Sequence, residues 1–121
     1  LDHCVDHLVY CDEFGRKLQS IFGIMKYIID IDNTICYTEG SDYQHSQPDM
    51  QRIEKINQLF DQGHEIHYYT ARGGNSGLDW SQLTAQQLEQ WGAKHHKLIM
   101  GKPVYDVWVD DRAITAKDFF K

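Results

Sequence analysis

Two carboxylates stand two residues apart at the end of an apolar run, in KYIIDIDNT (26–34). Carboxylates repel one another and are costly to desolvate, so a pair closing a buried strand needs a reason. Asp30 has the chemistry of a nucleophile toward phosphorus, because a carboxylate is ionised at neutral pH and needs no activating base. Asp32 is placed to pass a proton to a departing oxygen or take one from an attacking water. A second acidic pair, Asp110 and Asp111, closes VYDVWVDD (104–111). Two such pairs form an oxygen-rich set suited to Mg²⁺, and the ion would relieve their mutual repulsion. Thr70, with Ala71 beside it, and Lys102 offer a hydroxyl and a cation to the oxygens of a transferring phosphoryl group. Arg72 and Asn75 in the following loop, and Trp80 at the start of the next helix, are candidate substrate contacts.

These residues must be positioned by a scaffold, and the pattern around them is alternating. KYIIDI (26–31) reads as a strand buried on both faces, and HEIHYYT (64–70) as a second. Pro48 and Asp49 open a helix in which Ile53, Ile56, Leu59 and Phe60 recur at three and four before Gly63 ends it. A second helix, about 79–91, stacks Leu83, Leu88 and Trp91 and stops at Gly92. KLIMG (97–101) and VYDVWVDD (104–111) read as further strands, and TAKDFF (115–120) as the start of a last helix. The 33–47 interval reads as loop. Strands alternating with helices of this length indicate an α/β domain, a Rossmann-like parallel sheet of four to five strands with helices on both faces. In such sheets ligands bind at the carboxyl ends of the strands, where each chemical residue above falls.

DIDNT, YYTARG, GKP and VWVDDRA, in that order over residues 26–114, resemble the four-motif signature of the haloacid dehalogenase superfamily of phosphatases. The resemblance implies that Asp30 is the nucleophile of an aspartyl-phosphate intermediate and Asp32 the general acid/base. It implies that Thr70 and Lys102 hold the phosphoryl group, together with the backbone from Ile31 through Asn33 to Thr34. It assigns Mg²⁺ to Asp30, the carbonyl of Asp32 and the Asp110–Asp111 pair. Asn33 stands where the superfamily often has glycine, and asparagine tolerates the same tight turn. Neither interval between motifs has room for a cap domain. The chain is therefore similar to the small capless phosphatases of capsule and lipopolysaccharide pathways, which implies a small sugar or polyol phosphate as substrate.

The chain has 121 residues, 41% hydrophobic and 25% charged, within the range of one globular domain. Residues 25–121 form that domain, and 1–24 read as an extension with a short amphipathic pattern (Leu8, Phe14, Leu18, Phe22). The formal net charge of −6, without a basic cluster, argues against duplex nucleic acid as partner. No run approaches the roughly 18 apolar residues of a membrane span. Absent a secretory signal, and with three cysteines in no framework, a cytoplasmic location is expected. His3, Cys4, His7 and Cys11 resemble half of a zinc site, but no second half follows. A phospho-receiver domain carries similar groups with the acidic pair first, the reverse of the order here. The residues also admit a non-catalytic accessory domain, or a polynucleotide or protein phosphatase. An uncovered site leaves room for a second subunit as lid, hence a homo-oligomer.

Overall fold

The computed structural model describes residues 23–121. The amphipathic pattern and the His/Cys cluster expected nearer the amino terminus lie outside the described residues. Strand β1 (Lys26–Asp30) leads through a short antiparallel ladder, β2 (Cys36–Tyr37) and β3 (Gln47–Pro48), into helix α1 (Met50–Asp61). Strand β4 (Glu65–Thr70), helix α2 (Ser81–Gln90), strand β5 (Lys97–Met100) and a one-turn helix α3 (Ala116–Phe119) complete the chain. The sheet is parallel, in the order β1-β4-β5, with Ile29 opposite Tyr68 and Tyr68 opposite Leu98. Among the described residues no helix is long and apolar enough to cross a membrane.

The expected periodicities place the core. Alternation along the strands puts Tyr27, Ile29, Ile66, Tyr68 and Leu98 on one face, and these pack with Ile53 and Ile56 of α1 and Leu88 of α2. Asp49 caps α1 by accepting from the Arg52 amide at 3.2 Å, which satisfies one of the unpaired first-turn donors. At the other end of α1 the chain turns at Gly63, with φ of 98°. The helix α2 presents Thr84, Gln87, Leu88 and Trp91 to the interior, with Leu83 only half-buried.

Two expectations about the sheet go beyond what the described residues form. Helices were expected on both faces, yet α1 and α2 share one face. On the other, Ile28 is 53% exposed and Ile99 is also open to solvent. Four to five strands were expected; among the described residues the main sheet has three, and 104–111 is not one of them. Residues three apart point to opposite faces of an extended chain. Here the rings of Tyr105 and Trp108 meet edge-to-face at 5.0 Å, and both stand over the Lys102 ammonium, at 5.1 and 5.9 Å. Only a bent chain allows that. The β-branched run is consequently left in solvent, with Val109 91% exposed, and Trp108 lies outside the core.

Candidate active site

Asp30 ends β1, and the chain then folds back sharply. Asn33 adopts the left-handed conformation, φ 61°, that asparagine tolerates. Its amide donates to the Cys36 carbonyl at 2.7 Å, while the amides of Thr34 and Ile35 both donate to Ile31. The amides of Asn33 and Thr34 are thus committed to the turn, and the phosphate cradle expected from them is not offered. Ile31 itself is a core residue.

The turn sets both acids on the wall of an open cavity of about 550 Å³, which is also lined by Lys102, Ala71, Asn75 and Trp80. Asp30 Oδ1 lies 3.3 Å from Lys102 Nζ, and Asp30 Oδ2 accepts from the Thr34 hydroxyl at 3.3 Å. Lys102 is held there from below by its amide, which donates to the Thr70 carbonyl at 3.0 Å. Thr70 falls on the helix-facing side of β4, like Ile66 and Tyr68. Its buried hydroxyl accepts from the Arg72 amide at 3.1 Å and does not line the cavity. The expected phosphate contact from Thr70 is therefore absent from this arrangement.

Asp32 is bound more firmly than its neighbour. Arg72 grips it with two parallel donors on one edge of the guanidinium, Nε to Oδ2 at 3.0 Å and Nη2 to Oδ1 at 2.9 Å. The Thr38 hydroxyl donates to Oδ1 at 2.6 Å. Arg72 also donates through Nη1 to Thr84 and Gln87, and through Nη2 to Ser46. All five guanidinium donors are thus engaged. The Tyr43 ring covers the group at 4.7 Å, and Trp80 meets Tyr43 edge-on at 5.1 Å. Arg72 is 4% exposed. It was expected to touch substrate, but burial and full engagement make it a brace for Asp32 instead. Cys36, beside this network, is buried, and burial is the main cause that pushes its thiol pKa up.

Thr38, Tyr43, Ser46, Thr84 and Gln87 are the partners that sequence reasoning missed. Thr84 and Gln87 did leave a signal, being polar residues three apart in the apolar stripe of a helix that buries Leu88 and Trp91.

The second acidic pair does not join this site. Asp111 has a side chain 85% exposed, and Asp110 accepts from the Trp108 indole at 3.4 Å and the Arg112 amide at 3.0 Å. The latter contact is the first of several that hold the Asp110 pKa down. Mg²⁺ wants several oxygen ligands in near-octahedral geometry. Among the described residues no three His, Cys, Asp or Glu side chains are grouped to hold a metal ion. As placed, the expected ligands Asp30, Asp32, Asp110 and Asp111 do not fit one.

No family model and no curated protein matches the sequence. Among solved structures, the crystal structure of an MCSG target from Vibrio cholerae is similar, with a TM-score of 0.71 and 25% identity over 80% of this chain and 88% of that one. The α/β fold is shared with that protein.

Proposed function

We propose that this chain is a phosphomonoesterase of the haloacid dehalogenase type, capless and Rossmann-like, acting on a small sugar or polyol phosphate. The observation that supports it best is the grouping at the carboxyl end of β1. There Asp30 lies 3.3 Å from Lys102 on the wall of a cavity open to small molecules, with Asp32 on the same wall. In this reading an Asp30 oxygen attacks phosphorus, the bond to the leaving oxygen breaks as the protonated Asp32 carboxyl gives that oxygen its proton, and Lys102 offsets charge on the phosphoryl oxygens. Water then attacks the aspartyl-phosphate, Asp32 receives its proton, and Asp30 is restored as inorganic phosphate departs. Magnesium belongs to this reading only with Asp110 and Asp111 carried to Asp30. The edge of β1 left unpaired among the described residues is where Val104–Val109 would then run as a fourth, parallel strand.

The test is phosphate release from a panel of sugar, polyol and nucleotide monophosphates, with and without Mg²⁺. Asp30→Asn is expected to lower release by at least about 1,000-fold. Wild-type rates in that variant, or no turnover of any substrate, would defeat the proposal. A phospho-acceptor that is not turned over is the second reading, favoured by the exposed placement of Asp110 and Asp111. It predicts a stable aspartyl-phosphate from acetyl phosphate.

A further inference from the structure

We infer that Arg72 is a positioning residue, which fixes the direction of the Asp32 carboxylate so that one lone pair of Oδ2 is left for a water molecule. The inference rests on the phosphomonoesterase reading above. A carboxylate has about four acceptor positions. Oδ1 receives Arg72 Nη2 and the Thr38 hydroxyl, whereas Oδ2 receives only Arg72 Nε. Asp32 lines the cavity and keeps 22% of its side chain accessible, whereas the Arg72 side chain keeps none, and this assigns the remaining acceptor position to the cavity side.

Three parts of the chain fix the guanidinium. The residue itself follows β4, Thr84 and Gln87 come from α2, and Ser46 and the Tyr43 ring come from the turn before β3. Gln87 is itself anchored, donating to the Tyr43 carbonyl at 2.6 Å, and the Thr84 hydroxyl donates to the Trp80 carbonyl at 2.7 Å. A planar fork gripped in this way cannot rotate, and the carboxylate it grips in two places cannot either. Lysine would keep the charge and lose the two-pronged contact.

The two half-reactions need Asp32 unequally when the leaving group is a good one. With acetyl phosphate, Asp30 attacks phosphorus and acetate departs with the bonding electrons, needing no proton. Hydrolysis of the aspartyl-phosphate does need the proton of the attacking water to go to Asp32. Misaiming Asp32 should therefore slow the second step alone.

The experiment follows the intact chain with acetyl phosphate, measuring phosphoryl addition to Asp30 by protein mass and phosphate release in parallel. Arg72→Lys is expected to phosphorylate within about twofold of wild type and to release phosphate about 100-fold more slowly, so that the phosphoprotein accumulates. Gln87→Met removes one anchor of the arginine without touching Asp32. It should show the same split at about tenfold, and it decides the matter if Arg72→Lys does not fold. Equal slowing of both steps, or slowing of neither, overturns the positioning role while the phosphomonoesterase reading stands. A wild-type chain that is neither phosphorylated nor active on any phosphate ester removes both.

Discussion

The chain carries two acidic pairs of nearly the same composition, and the fold treats them in opposite ways. Asp30 and Asp32 sit on a turn pinned by backbone hydrogen bonds, with Lys102 on one acid and a buried arginine on the other. Asp110 and Asp111 stand in solvent at the end of an apolar stretch that pairs with nothing in the sheet. Residue type is the same in both places. The difference is whether a sheltered cation and a packed backbone meet the acids: Arg112 lies 3.9 Å from Asp111, but both side chains stand in solvent.

That contrast can be broken most forcefully from the Asp32 side. Asp32→Ala would leave the Arg72 guanidinium buried without its counter-ion, and removing one partner of a buried pair costs about 3–5 kcal/mol. The double substitution Asp110→Ala with Asp111→Ala removes two exposed carboxylates and should change stability by less than about 0.5 kcal/mol. Urea unfolding of the two variants beside wild type measures both effects. Similar losses in the two would mean that the exposed pair is held by contacts absent from this arrangement.

A proline sharpens the same comparison in the apolar stretch. Val107 is 77% exposed in a bent segment, so Val107→Pro should alter the stability of the metal-free chain by no more than about 0.5 kcal/mol. If the segment docks on β1 when Mg²⁺ binds, proline removes a ladder donor. The Mg²⁺-induced rise in unfolding midpoint, and any change in Trp108 emission, should then be lost in the variant. A variant that responds to Mg²⁺ as wild type does would exclude docking of 104–109 as a strand.

Much of this molecule could be read from its residues, and what could not has identifiable causes. Strands β1, β4 and β5 and helices α1 and α2 lie within two residues of their expected bounds, because period-two and period-3.6 burial are local patterns. The β2–β3 ladder was invisible, since two-residue strands have no periodicity to detect. Residues 104–111 misled because strand preference is a statement about a partnered, half-buried surface, whereas two aromatic rings here fold back onto one ammonium. At the site, Asp30, Asp32 and Lys102 come together as their positions at strand ends suggested. The roles of Thr70 and Arg72 depended on which face of β4 and which side of the following turn they occupy. The acceptors that gather around Arg72 come from residues as far apart as Asp32 and Gln87, a convergence that no local pattern encodes.

The smallest expected effect lies at the opposite, amino-terminal end of the same strands, where a titratable group is buried. His64 precedes β4 and is 1% exposed; its Nδ1 accepts from the Met25 amide at 3.1 Å and its ring meets Tyr27 edge-on. Burial holds its pKa below the ordinary value of 6.5. In the folded chain the ring therefore stays neutral over a range in which the unfolded chain takes up a proton. Stability from this group is complete above about pH 6.5 and is lost as pH falls toward the folded pKa, at up to about 1.4 kcal/mol per pH unit. His64→Gln keeps a side-chain acceptor and has nothing to titrate, so its unfolding free energy should lack that slope between about pH 6.5 and 5. The Asp49 carboxylate, whose pKa is lowered chiefly by the Tyr37 hydroxyl, loses its contribution only at lower pH and does not enter this window. A wild-type slope retained in His64→Gln would show that the acid sensitivity does not come from His64.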